Sequence, residues 1–213
     1  MSPHLPAVPP FAFISPDGSN QDDIESLLHQ VVTLLAAEMS EAQTRSPLPK
    51  PLPVDGLSQW AQIPARSVSI ASLLADARSH IRYAMNAAHP GYIGHMDSIP
   101  TTMSIVGDLL AAALNNNMLS VEMSPVLSRL EPLVLKQISA LFGLGAQSGG
   151  VLVSGGSLAN LQALTVARNR AFDAVEKGVV GLTRQPVFLV SEVALTSMKK
   201  AAMMMCLGAE AAI

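Results

Sequence analysis

The sequence predicts an α/β protein in which a helical N-terminal stretch leads into the opening strand–helix–strand–helix of a parallel-sheet domain. Three observations carry that class. Apolar residues recur with a helical period over much of the first ~145 residues. Two short apolar runs, Val151-Leu152-Val153 and Val187-Phe188-Leu189-Val190, have the length and composition of buried strands. A helical pattern follows each run, which is the order that builds a βαβ unit.

Taken in order, residues 1–19 are Pro-rich and read as an extended or disordered leader. A helix is expected from about Asn20 to Ala42: Asp22, Asp23 and Glu25 favour the positive end of its dipole. Ile24, Leu27, Leu28, Val31, Leu34 and Leu35 give it a 3.6-residue period. Prolines at 47, 49, 51 and 53 enforce an extended linker, because each fixes its own φ and restricts the residue before it. A second helix is expected over about 69–87. His89 to Ser98 is a loop by its Pro and Gly content. Helices follow at about 101–116 and 124–142, the latter placing Leu127, Leu130, Val134, Ile138 and Leu141 on one face. Strands are then expected near 150–154 and 187–191, with helices reaching about Lys177 and running from about Ala194 to Leu207, the last closed by Gly208. Glu210-Ala211-Ala212-Ile213 reads as the start of a third strand, so the chain is expected to be truncated within the domain it opens.

Of 213 residues, 49% are hydrophobic and only 14% charged, which describes either an Ala/Leu-rich globule or a chain that buries surface against something else. A net charge of -3 offers no basic face for nucleic acid. Cys206, the single cysteine, excludes an intrachain disulfide and is compatible with a reducing compartment. No basic residue precedes Arg45 and prolines interrupt the N-terminus, so no secretory signal is read there. No apolar run reaches the roughly 18–20 residues of a membrane span. A soluble, cytoplasmic protein is expected.

The most informative stretch is Gly149 to Arg168. Its apolar run breaks at Ser154-Gly155-Gly156 and restarts at Ser157 as a helix. Two readings stay open at this point. The turn presents unpaired N–H groups and a helix dipole to one spot, which suits a phosphate. Alternatively, Ser157 caps its own helix, with Asn160 three residues on.

Four blocks occur in a telling order: HPGYIGHMDS at 89–98, GDLLAAALNNNMLSVEMSPVLSRLE at 107–131, GGVLVSGGSLANLQAL at 149–164 and PVFLVSEVALTSMKKAA at 186–202. With them the chain, over about residues 20–213, resembles the group II pyridoxal-5′-phosphate-dependent amino-acid decarboxylases, a family that includes glutamate, aromatic-amino-acid and diaminobutyrate decarboxylases. The resemblance implies a fold-type-I architecture. Residues 20–100 would be a helical dimerisation segment and 101–213 the incomplete start of the cofactor-binding large domain. It implies pyridoxal 5′-phosphate as cofactor, held by Gly156 and Ser157, with Asn160 supporting the turn. On the same resemblance His95, Met96 and Ser98 line one side of the substrate pocket, and Asn117 and Leu119 reach in from a second subunit. His89 reads as a turn residue, and Glu122 and Glu131 as structural. No metal site is expected.

Two departures from the family pattern bear on activity. Leu195 stands in the run Ser191 to Ser197 where active members carry the histidine that stacks on the cofactor ring, and leucine can neither move a proton nor hydrogen-bond a carboxylate. In the family, the lysine that bonds the cofactor's aldehyde lies downstream of residue 202; Lys50, Lys136, Lys177, Lys199 and Lys200 do not match its position. The expectation is therefore an N-terminal portion of an L-amino-acid decarboxylase with no catalytic residue of its own, weak or absent cofactor binding and no activity alone. Its partner would be a second copy or a complementary chain carrying the rest of the large domain. The alternative is a non-catalytic remnant or oligomerisation module.

Overall fold

The computed structural model describes residues 11–51, 54–96 and 98–213; the first ten residues of the expected leader lie outside them. The chain divides into two units, Met1–Leu110 and Ala111–Ile213.

In the first unit, residues 11–19, expected to be extended or disordered, form turns closed by Asn20. Its amide donates to the Phe13 carbonyl (2.7 Å), and its Oδ1 accepts the Ser15 N–H (2.9 Å). Helix α1 (Gln21–Ser40) follows, with Asp22 and Asp23 in its first turn. Leu34 and Glu38 are its buried positions, and Ala42 in the turn just beyond it is buried as well, so the stripe facing inward is narrower than the apolar pattern and carries a carboxylate. Short helix α2 (Val54–Trp60) begins directly after the prolines, in a stretch for which no element is expected. Trp60 at its end lies 4.3 Å from the His80 ring and 5.9 Å edge-on from Tyr83, which fixes the segment through aromatic contact.

Helix α3 (Ile70–Tyr83) is capped by Ser69, whose hydroxyl accepts the Ser72 N–H at 3.1 Å. It stops short of the expected residue 87. Asn86 donates its side-chain amide to the Ala42 carbonyl (2.6 Å) and its N–H to the Pro47 carbonyl (3.0 Å), drawing the chain out of helical geometry. Helices α1 and α3 pack together, and Glu38 locks their contact: Arg82 donates to it from Nε and Nη2, both at 3.0 Å, and Arg78 Nε forms an ion pair with it at 3.1 Å. Arg45 donates to the Glu38 carbonyl at 2.8 Å. The division between units falls within α4 (Thr102–Leu114).

The second unit contains α5 (Leu127–Leu141), α6 (Gly156–Phe172), the one-turn α7 (Ala174–Lys177) and α8 (Ser197–Met204). The expected face of α5 stays largely uncovered: Leu130, Val134, Ile138 and Leu141 are exposed, and Leu135 and Ser139 are buried instead. The helix expected to reach Lys177 unbroken is interrupted at Asp173, which adopts a left-handed conformation (φ 52°) between α6 and α7.

The expected strands need correction. Among the described residues neither 150–154 nor 187–191 forms a strand, so the strand–helix–strand–helix reading survives as its helices. Residues 151–153 are irregular, and the Leu152 N–H finds its acceptor in the Glu131 carboxylate (3.0 Å) rather than in a neighbouring strand. Among the described residues a single parallel bridge occurs, joining Phe188 to Ala212. Around it Phe188 N–H donates to Ala211 (2.9 Å), Val190 N–H to Ile213 (2.7 Å) and Ile213 N–H to Phe188 (3.1 Å). A ladder needs partners along its whole length, and this one extends only as far as the three residues that face it.

The core of this unit is Ala202, Met205, Leu207 and Ala211, against which Leu161, Leu164, Val179 and Phe188 pack. Helix α8 is closed by Cys206 rather than Gly208. Cys206 adopts the left-handed conformation (φ 61°), its N–H donates to Met203 (3.1 Å), and the next N–H, of Leu207, reaches back to Ala202 (3.0 Å). That pair of bonds is a Schellman closure with a cysteine where glycine is usual. Arg168 and Gln185 satisfy the carbonyls of Met205 and Leu207 beyond the helix end.

Candidate functional site

At the head of α6 the N-cap is Gly155, with Gly156 and Ser157 as the first two helical residues. No side chain caps this end, so the reading in which Ser157 closes its own helix does not hold. Helical geometry leaves the N–H groups of Gly156, Ser157 and Leu158 without intrahelical acceptors. Among the described residues none of them donates to another group. A Cβ built at Gly155 or Gly156 would meet nothing within 4 Å, so open space adjoins these donors. The donors and the positive end of the dipole of a 17-residue helix adjoin that space, and Ser157 adds a hydroxyl at the second helical position. This is the donor set a phosphate needs.

Asn160 turns away from it. Its Nδ2 donates to Ser197 Oγ at 3.1 Å, tying the first turns of α6 to the first residue of α8. Just before Ser197, Leu195 is 66% exposed and lines an open cleft of about 470 Å³ with Ser191, Glu192, Thr196, Met198 and Lys199. Nothing in this cleft reproduces a histidine ring, and Lys199 is a solvent-exposed cation on its rim.

Of the residues expected around a substrate, His95, Met96 and Ser98 belong to the first unit. His95 takes a left-handed conformation (φ 49°), Met96 is almost fully exposed, and Ser98 borders a cleft of about 270 Å³ with Arg45, Met85, Asn86 and Ile99. His89 serves its turn: Nδ1 accepts the Gly91 N–H at 2.9 Å. Asn117 and Leu119 belong to the second unit, where Asn117 Oδ1 accepts the Leu119 N–H at 2.9 Å and both side chains remain exposed. Glu122 is exposed, and its hydrogen bond with Ser120 holds its carboxyl below the usual glutamate value. Among the described residues no cluster of three or more metal-ligating side chains occurs.

Sequence reasoning missed three polar contacts. The Glu38 clamp joins residues 44 apart in sequence, and the Asn160–Ser197 contact residues 37 apart, so no local pattern announces either. Glu131 holding Leu152 was legible only as an acid of unspecified structural role.

Comparison with known proteins completes the picture. Residues 57–211 match the family described as the pyridoxal-dependent decarboxylase conserved domain. Over 151 residues the sequence is 30% identical to glutamate decarboxylase of Drosophila melanogaster, covering 70% of this chain and 29% of that protein. The fold is similar to that of mouse CSAD in apo form, with a TM-score of 0.81 at 22% identity over 91% of this chain and 41% of that one. It is similar as well to the glutamate decarboxylase domain of the diaminobutyrate-pyruvate transaminase and L-2,4-diaminobutyrate decarboxylase from Vibrio parahaemolyticus (0.80, 19% identity, 95% and 45% covered). Oryza sativa TDC with PLP and tryptamine gives 0.76 at 24% identity, covering 91% and 41%. At these identities the structural likeness is one of fold. The chain spans less than half the length of each of these relatives.

Proposed function

Since this chain belongs to the pyridoxal-dependent decarboxylase family, we propose that it is the N-terminal part of a fold-type-I L-amino-acid decarboxylase, whose residues 1–213 receive the cofactor's phosphate and do not react without the bonding lysine. Pyridoxal phosphate is the cofactor of that family. When bound, its ring supplies an electron sink for cleavage of the bond to the substrate carboxylate. The observation that carries the reading is the head of α6: three free N–H donors, the Ser157 hydroxyl and open space beside Gly155 and Gly156 fit a phosphate.

The far end of the cofactor is served less well. Leu195 offers an apolar surface to a ring but cannot hold or move a proton. His95, Met96, Ser98, Asn117 and Leu119 are proposed as pocket walls, completed across subunits. The partner is a second copy or a chain carrying the remaining strands; the uncovered apolar face of α5 and the three-residue pairing of 187–190 with 211–213 support such a partner. Among the described residues no helix is long and apolar enough to cross a membrane. With the single cysteine, this supports a cytoplasmic location.

Gly156→Pro tests the phosphate site. Proline is tolerated at the first helical position and removes one donor while leaving α6 intact. The expected result is a loss of pyridoxal phosphate affinity of about ten- to hundredfold, as for one charge-assisted hydrogen bond, with helical content preserved. Unchanged affinity would overturn the assignment. A second reading, an oligomerisation module without chemistry, is favoured by Leu195 alone; failure to associate with a full-length relative in a pull-down would count against it.

A further inference from the structure

The contact between Asn160 and Ser197 joins the two parts of the candidate site. Asn160 lies one turn into α6, about 6 Å along the axis from Gly156. Ser197 is the first residue of α8 and is buried at 7% exposure, so its hydroxyl has little access to water as an alternative partner. Leu195 and Thr196, which line the 470 Å³ cleft, come immediately before it. Further along, Leu161 and Leu164 pack against the apolar cluster of Ala202, Met205, Leu207 and Ala211. That packing is non-directional and tolerates small sliding, whereas a 3.1 Å hydrogen bond fixes one register.

We propose that Asn160 is a positioning residue that sets the glycine turn of α6 against the 191–199 cleft, so that one ligand can place its phosphate at Gly156-Ser157 and its ring beside Leu195. The inference rests on the reading of the α6 head as a phosphate site. Asn160 touches neither phosphate nor ring; it matters only to a ligand that spans both. Inorganic phosphate spans one, and pyridoxal phosphate spans both.

The experiment measures binding of these two probes to the unaltered chain, to Asn160→Ala, to Ser197→Ala and to the double variant, with urea unfolding recorded for each. Either single substitution is expected to weaken pyridoxal phosphate about five- to tenfold and leave inorganic phosphate within about twofold. The double variant is expected to be no weaker than either single one, because both remove the same bond. Equal losses for the two probes, or additive losses in the double variant, would overturn the positioning role. An unaltered chain that binds pyridoxal phosphate, with variants that bind it as well, would overturn this inference and leave the phosphate site standing. Failure of the unaltered chain to bind either probe would overturn both.

Discussion

Removal of the Glu38 carboxylate tests what holds the first unit together. Its side chain is 4% exposed, accepts two hydrogen bonds from Arg82 at 3.0 Å and pairs with the Arg78 guanidinium at 3.1 Å. Charge-assisted bonds contribute roughly 1.5–3 kcal/mol each when well desolvated. Here both arginines are half exposed, at 52% and 54% of their side-chain surface, and water will solvate them once released. That lowers the sum toward about 2–4 kcal/mol for Glu38→Ala. Glu38→Gln keeps the shape and one acceptor and should lose about half as much. Trp60 is the chain's one tryptophan and packs on His80, within the same α3 that carries Arg78 and Arg82, so its fluorescence reports this unit. Urea titrations followed at Trp60 should show a lower midpoint for both variants, with alanine the worse. Midpoints within error of the unaltered chain would refute the claim that a buried carboxylate organises the α1–α3 contact.

Acidification should act on the same unit. The Arg82 hydrogen bond, opposed by burial and aided by the charges of Arg82, Arg45 and Arg78, holds the Glu38 carboxyl below the ordinary glutamate value of 4.5. A lowered folded-state value means the contribution is full above the unfolded value and is lost as pH falls through the folded one. The Trp60 midpoint should therefore drop below about pH 4.5, and Glu38→Gln should flatten that drop. Cys206→Gly should raise stability by about 0.5–1 kcal/mol, since a left-handed residue costs roughly 1–2 kcal/mol without glycine and the freer unfolded chain returns part of it; a lower melting temperature would contradict the Schellman closure. Leu195→His should tighten pyridoxal phosphate by about two- to tenfold through ring stacking, read by absorbance titration, yet release no carbon dioxide by itself.

The helices were largely legible because each is a local matter: acids at the start of α1, Ser69 before α3 and a glycine turn before α6 all act within one turn. The glycine turn and its free donors at the head of α6 were legible for the same reason. Boundaries failed where distant groups intervened, as when Asn86 is drawn to Ala42 and Pro47 and ends α3 early. Strand residues failed differently. Val151 to Val153 have strand composition, but a strand exists only in a ladder, and its nearest acceptor is a helix carboxylate. Trp60 shows the opposite error: a segment for which no element was expected is helical, and its aromatic end meets two rings on α3.

Carbon dioxide release is the measurement that bears most directly on the proposed function. The purified 213-residue chain is supplied with pyridoxal phosphate and candidate L-amino acids, first alone and then with a separately expressed polypeptide carrying the rest of a decarboxylase large domain and its lysine. The account predicts cofactor-dependent release only from the mixture. Release by the chain alone, abolished when the cofactor is omitted, would contradict it.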